Sequence, residues 1–366
     1  MSEAPTKKRA RDGKDAAAEH LDGVPPEVAL KLMKDMLLFR RFEEKAEEAY
    51  AVGKIGGFCH LHTGQEGSAA GSIGTLRTDD YVSSTYREHT QALAKGISPR
   101  VVMAELYGRL DGCSGGRGGS MHLFDASLGF MGGNGIVGGQ VPTATGFGFA
   151  IKYRGEDRVS VCFLGEAALN QGAFHESVNL AAIWKLPVIY AVENNEYGMG
   201  TAFGRVSRTE ISERAAAYGI PTHVVNGQNV LDTYNLFTRL VATVRAGGGP
   251  QYVDINTYRF KGHSMSDPVS GTYRSKEEVE RHVRQEDPIL VLKERLFAAG
   301  VLDQKGIEAM DAEARAVAND AADFADASPV PDPAALYDHV YSTVNEHGRL
   351  FLDGRPEAPR AQGSKS

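Results

Sequence analysis

Val28, Leu32, Met36, Phe39, Phe42 and Ala46 recur at intervals of three and four, the spacing that lines one face of a helix. Pro25-Pro26 marks its start, because the fixed φ of proline suits a first helical turn. Downstream the texture changes to short apolar runs at 81–83, 159–164, 188–192, 223–225 and 252–255. Helical stretches and glycine-rich loops separate them. Alternating strands and helices predict an α/β fold with a mainly parallel central sheet and helices on both faces.

From Ser275 the pattern is helical throughout. Ser275 and Glu278 have the spacing of a reciprocal capping box, and Asp287-Pro288 opens another helix that Gly300 can end. An alanine-rich helix follows to about residue 324. The proline-rich stretch 328–333 is a hinge to one last helix. The expected division is a flexible leader at 1–24, an α/β domain at 25–274, a helical C-terminal region at 275–354 and a loose tail at 355–366. No internal repeat is visible.

The leader carries Lys7-Lys8-Arg9-Ala10-Arg11 but no apolar core, which argues against a secretory signal. A solvated tail is the favoured reading. Cytoplasmic location is expected, or the mitochondrial matrix or a plastid should the leader be a transit segment. The 366 residues hold 40 basic and 47 acidic side chains, a formal charge of -7, which disfavours a nucleic-acid partner. No apolar run is long enough to span a bilayer. Cys59, Cys113 and Cys162 are too widely spaced for a metal or redox pair and read as packing thiols.

The most informative stretch is a βαβ unit. A strand leads into Gly165-Glu166-Ala167-Ala168-Leu169-Asn170-Gln171-Gly172, a helix follows to about Trp184, and a second strand ends in Glu193-Asn194-Asn195-Glu196-Tyr197-Gly198. Ligands of open α/β sheets bind beyond the carboxyl ends of the strands. The Glu166 carboxylate, the Asn195 amide oxygen and the Tyr197 carbonyl are hard donors that suit Mg²⁺ together with diphosphate oxygens and water. The helix after the first strand is expected to point its N-terminal amides at an anion.

This stretch resembles the thiamin-diphosphate motif of the α subunits of 2-oxo acid dehydrogenase E1 components, most closely the pyruvate dehydrogenases. That family pattern is Gly-Asp-Gly, about thirty residues, then Asn-Asn. Further blocks match in order over roughly 26–340: Gly57-Phe58-Cys59-His60-Leu61, Thr85-Tyr86-Arg87-Glu88-His89, Gly118-Gly119-Ser120-Met121-His122, Gly132-Gly133-Asn134-Gly135-Ile136-Val137-Gly138 and Tyr258-Arg259-Phe260-Lys261-Gly262-His263-Ser264-Met265-Ser266-Asp267-Pro268. The chain departs from the family at two positions, with Glu166 for the metal-binding aspartate and Ala167 for the next glycine. The extra methylene requires the ion to shift or the loop to relax.

The resemblance implies a thiamin-diphosphate-binding fold, with Mg²⁺ at Glu166, Asn195 and Tyr197. It places Tyr86 and Arg87 on the diphosphate and Gly135, Val137, Ala167 and Ala168 against the coenzyme. His263 and His60 stand at the reacting end, where His263 assists transfer of the two-carbon unit; a histidine there can donate or accept a proton near neutral pH. It further implies oxidative decarboxylation of pyruvate and reductive acetylation of lipoyl groups on the E2 acetyltransferase. The active unit would be an α₂β₂ heterotetramer whose β subunit supplies the glutamate that activates the coenzyme. Phe58 either stands beside the site, where it favours a small acyl group, or is plain core. Acetoin and branched-chain 2-oxo acid dehydrogenase α subunits are the rivals within the class, and a non-catalytic assembly or regulatory α-like subunit is the rival outside it.

Three smaller readings complete the picture. Residues 133–138 fit G-x-G-x-x-G, but 127–131 is a poor strand, so a dinucleotide fingerprint is rejected. Ser264 and Ser270 lie in a loop whose serines are phosphorylated in eukaryotic members of that family, and phosphate there would repel a diphosphate. The helices after Ser275 are expected to pack on partner subunits.

Overall fold

A computed structural model describes residues 19–337. Five parallel strands form the central sheet in the order β1-β2-β3-β7-β6. They are β1 (Tyr81–Ser83), β2 (Ser160–Gly165), β3 (Val188–Asn194), β6 (Thr222–Asn226) and β7 (Gln251–Asn256), while β4 (Tyr197–Gly198) and β5 (Thr201–Ala202) form a separate hairpin. All five expected strands are present. Alternate residues of each strand point to opposite faces. Accordingly Val161, Phe163, Ile189 and Ala191 enter one apolar core, and Cys162, Leu164, Val188 and Tyr190 enter another on the opposite side. Burial on both faces is what an all-parallel sheet requires.

The helix Pro26–Ala51 buries Leu32, Met36, Phe39, Phe42 and Ala46 as its periodicity predicts, with Val28 half-buried. Gly148, in the helix Gln140–Arg154, lets that helix approach the sheet, since a Cβ there would stand 2.3 Å from a Val188 methyl. Cys59 and Cys162 are buried free thiols and Cys113 is partly buried. Among the described residues, no helix is long and apolar enough to cross a membrane.

Two helices after Ser275 join the main core. Pro288–Ala298 and Gln304–Ala327 send Leu292, Leu296, Ile307, Ala314 and Ala321 into the same core as the first helix. Their apolar faces are therefore covered by the chain itself. The final helix expected after the hinge lies outside the described residues, as do the basic leader motif and the tail.

Glu105 organises the glycine-rich loop that leads to Ser120. Its fully buried carboxylate accepts the backbone N–H groups of Ser114 and Gly116 on one oxygen and of Gly118 and Gly119 on the other, at 2.6–3.1 Å. In Glu105→Gln an amide NH₂ faces two of those donors. The substitution should cost on the order of 3 kcal/mol, given that hydrogen bonds to a charged group are each worth ~1.5–3 kcal/mol and do not add fully. An unchanged urea midpoint would contradict this account of the loop.

Candidate functional site

The carboxyl ends of β2 and β3 open into a cavity of about 660 Å³. Parallel pairing sets Gly165 opposite Glu193, so the residues that follow each strand emerge side by side. Glu166 is 2 % exposed, and its Oε2 accepts the Asn195 backbone N–H at 3.4 Å. His60, Tyr86, Arg87, Gly135, Val137, Glu166, Ala167, Ala168, Asn195, Tyr197 and His263 all line this one cavity. Segments far apart in sequence meet there because the topology gathers every βα connection at one sheet edge.

The geometry corrects three expectations. The helix Gly172–Trp184 does not point its first amides into the cavity; a 3₁₀ turn, Glu166–Asn170, intervenes, and it is Glu166, Ala167 and Ala168 that form the wall. The Arg87 fork is turned to backbone, with Nη1 donating to the Leu61 carbonyl at 2.6 Å and Nη2 to the His263 carbonyl at 2.7 Å. Arg87 therefore offers charge and ties the His263 loop down. Ser264 is buried and shares a hydroxyl contact of 2.9 Å with Ser266, so a modifying enzyme would first have to open the loop. Ser270 is half-buried.

The methyl of Ala167 fits because its neighbour is glycine. A Cβ on Gly198 would stand 2.7 Å from the Ala167 Cβ, too close for any side chain. The hairpin holding Gly198 is strained, with Glu196 at φ 72° and Met199 at φ 51°, a conformation that costs non-glycine residues roughly 1–2 kcal/mol. Strain of this kind collects at functional sites. No strand precedes Asn134–Gly138; Ala126–Leu128 is a 3₁₀ turn, in keeping with rejection of the dinucleotide fingerprint. Phe58 is 61 % exposed at the mouth.

The sequence did not single out Arg259, although it lies in the matching stretch 258–268. It is 1 % exposed. Its Nε donates to Asn195 Oδ1 and its Nη2 to the Met199 carbonyl, both at 3.2 Å, while Nη1 is buried without a partner. A charged residue at the end of an apolar strand, three positions past β7, was the available signal. Burial and then the neighbouring Arg259 hold the Arg87 guanidinium down to about 10. Two buried like charges with an unmatched donor are an arrangement that an anion would stabilise.

Electrostatics on the other wall are complementary. Burial raises the Glu166 carboxyl above its usual range, opposed by hydrogen bonds and by Arg259; a bound cation would favour its ionised form. Tyr86, His60 and His263 cluster, with ring centroids 4.5 Å apart for His60–Tyr86 and 5.2 Å for His60–His263. Burial first, and then Arg87, push His60 down to about 2 and His263 to about 3. Both imidazoles are thus neutral at pH 7.

A pH dependence of stability follows. The unfolded chain takes up protons below about pH 6.5 that the folded histidines refuse, so their contribution is complete above that pH and declines toward pH 3. The slope is about 1.4 kcal/mol per pH unit for each histidine. Urea unfolding at pH 7, 6, 5 and 4 should show this slope in the wild type and lose it in a His60→Gln/His263→Gln double variant. Equal slopes in the two would contradict the assignment.

Among the described residues, no group of three or more His, Cys, Asp or Glu side chains forms a metal cage. The donors at the sheet edge fit a different kind of site, one in which a carboxylate and neutral oxygens share a hard cation with ligand oxygens. The buried arginines fit the anion that such a cation would accompany.

The sequence matches the family described as dehydrogenase E1 component over residues 34–334. It is 47% identical to the pyruvate dehydrogenase E1 component subunit alpha of Rhizobium meliloti over 328 residues, covering 89% of this chain and 94% of that protein. It is 46% identical to the protein of the same name in Zymomonas mobilis, over 86% of this chain and 88% of that one. Similarity extends to the chloroplastic subunit alpha-3 of Oryza sativa, 39% identical over 93% of this chain and 81% of the rice protein.

Proposed function

This chain belongs to the dehydrogenase E1 component family, and on that premise we propose that it is the α subunit of a pyruvate dehydrogenase E1 component. Family membership implies thiamin diphosphate as coenzyme. The single observation that carries the reading is the juxtaposition of Glu166 and Asn195 at neighbouring strand tips in one cavity, with the Arg259 guanidinium on the Asn195 amide oxygen. In this reading Glu166, Asn195 and the Tyr197 carbonyl hold Mg²⁺, while Arg259, Arg87 and Tyr86 neutralise and orient the diphosphate. The loop of Gly135 and Val137 and the turn of Ala167 and Ala168 supply backbone walls.

When bound, the coenzyme supplies the electron sink for decarboxylation that no side chain offers. The chain's own groups position and protect. His60 and His263 sit side by side as neutral imidazoles, and His60 Nδ1 is buried without a partner. His263 can accept or release a proton from its ring as the acetyl unit passes to lipoyl. Its backbone N–H donates to Asp267 at 2.7 Å, which fixes the ring's approach.

The site also points to a partner. Among the described residues, the carboxylates lining the cavity are Glu166, Glu193 and Asp267. Glu193 is engaged by His62, Ser68 and Gln91, and Asp267 by His263 and Tyr273. None of the three is left free to activate the coenzyme ring. Exposed apolar side chains rim the mouth, with Ile136 at 73 % and Met199 at 62 % exposure. A β subunit that covers this rim and brings the missing glutamate meets both needs, within an α₂β₂ assembly that delivers acetyl groups to E2.

The test is turnover by the chain reconstituted with a β subunit, read as CO₂ release from pyruvate or 2-oxoisovalerate and as reduction of a dye acceptor with acetoin. The reading expects turnover of pyruvate, dependent on thiamin diphosphate, Mg²⁺ and the β subunit. Turnover of acetoin or 2-oxoisovalerate alone would reassign the substrate. No saturable coenzyme binding by the complex would favour a non-catalytic subunit.

A further inference from the structure

The capping box expected at Ser275 forms only in half. Ser275 Oγ accepts the Glu278 backbone N–H at 3.0 Å, but the Glu278 side chain does not return to cap the helix. One of its carboxylate oxygens instead accepts two phenols, Tyr258 Oη at 2.8 Å and Tyr197 Oη at 3.1 Å. A glutamate that forgoes a local bond for two distant ones joins three segments, namely the helix Lys276–Gln285, the β4 hairpin and the stretch after β7.

Both phenols lead to the candidate site. Tyr197 lines the cavity and contributes the carbonyl assigned to the cation. Tyr258 immediately precedes Arg259, whose guanidinium touches Asn195. Tyr258 is itself immobilised, stacked on His282 at 3.7 Å between ring centroids and 7° between planes. Tyr258, Phe260 and Val279 form a small apolar cluster with Tyr197 packed against it. Burial, and then the shared carboxylate, push both phenols above their usual range, so both stay donors. The Arg274 guanidinium donates to the Arg259 and Lys261 carbonyls at 2.7 Å, pinning the start of the His263 loop to its end.

We propose that Glu278 is a positioning residue for the cation and diphosphate site, gathering Tyr197 and Tyr258 on one oxygen so that the Tyr197 carbonyl and the Arg259 guanidinium are held toward the cavity. This rests on the coenzyme reading above. Groups that orient metal ligands without touching the metal commonly matter about 10–100-fold for its affinity.

The test is calorimetric titration of Mg²⁺ into the full chain with its β subunit at fixed thiamin diphosphate, with melting temperatures recorded alongside. Glu278→Ala should raise the Mg²⁺ Kd about tenfold while the melting temperature falls by a few degrees. Glu278→Gln keeps an acceptor oxygen for both phenols and should stay within about twofold of wild type. Tyr197→Phe should give a smaller rise of about threefold, the worth of one side-chain hydrogen bond, and should add nothing to Glu278→Ala. An unmoved Kd in Glu278→Ala, or an equal loss in Glu278→Gln, overturns the proposal. If Glu278→Ala does not fold, Tyr197→Phe decides, and an unchanged Kd there overturns it. Absence of Mg²⁺-dependent coenzyme uptake by the wild type overturns the coenzyme reading and the proposal with it; normal wild-type uptake with unmoved variants overturns the proposal alone.

Discussion

Glu166→Gln is expected to abolish Mg²⁺-dependent uptake of thiamin diphosphate, raising its apparent Kd by at least on the order of 100-fold. The estimate is a lower one, because losing a group that merely supports a metal ligand already costs about 10–100-fold. Glu166 is the one carboxylate of the donor set and is almost fully buried at the tip of β2. Glutamine keeps its length and its contact with the Asn195 amide but removes the charge that a hard cation selects. Glu166→Asp shortens the side chain by one methylene and keeps the charge, giving the aspartate of the motif that the sequence resembles, so it should still bind. Equilibrium dialysis with and without Mg²⁺ separates the three proteins. Wild-type affinity in Glu166→Gln would show that the cation is held elsewhere.

His263→Ala is expected to lower the turnover of lipoyl acetylation by about 100-fold or more, the low end of what a positioned general acid–base group contributes. Coenzyme affinity should change only a few-fold, because the proposed function puts the ring at the reacting end and assigns the diphosphate to other groups. Its neutral state in the folded protein sets the pH signature. Burial and then Arg87 hold its pKa down to about 3, so an NMR titration of the chain without coenzyme should show no step from this ring between pH 6 and 8. Arg87 donates to the His263 carbonyl, and Asp267 accepts from its backbone N–H, so the loop itself should survive the substitution. Limited proteolysis checks that. Full acetylation activity in His263→Ala with an intact loop would remove His263 from the chemistry.

The fold was readable because it is written in local periodicity. The five strands announce themselves as apolar runs between glycine-rich loops, and the first helix as a three-four repeat from Val28 to Ala46. Glu166 and Asn195 were legible for the same reason, since parallel strands place their carboxyl ends together whatever the sequence between them. Long-range donors left no such mark. The role of Arg259 depends on where Asn195 and Met199 fall in space, and the Glu105 nest depends on a loop that folds back to present four amides. The spacing of Ser275 and Glu278 predicted a reciprocal cap, but tertiary contacts with two tyrosines outcompeted it. The packing of the C-terminal helices was hidden for another reason. Their apolar faces were visible, but the surface that covers them, the first helix, lies more than 200 residues away in the chain.

The central claim is that the tips of β2 and β3 hold a divalent cation that grips the diphosphate. Mn²⁺ in place of Mg²⁺ makes the ion visible by anomalous scattering in crystals grown with thiamin diphosphate. The account predicts a single strong peak in contact with the Glu166 carboxylate, the Asn195 amide oxygen and the Tyr197 carbonyl, with diphosphate beside it under Arg259. A peak elsewhere, or a coenzyme bound with no cation at these three residues, would contradict it.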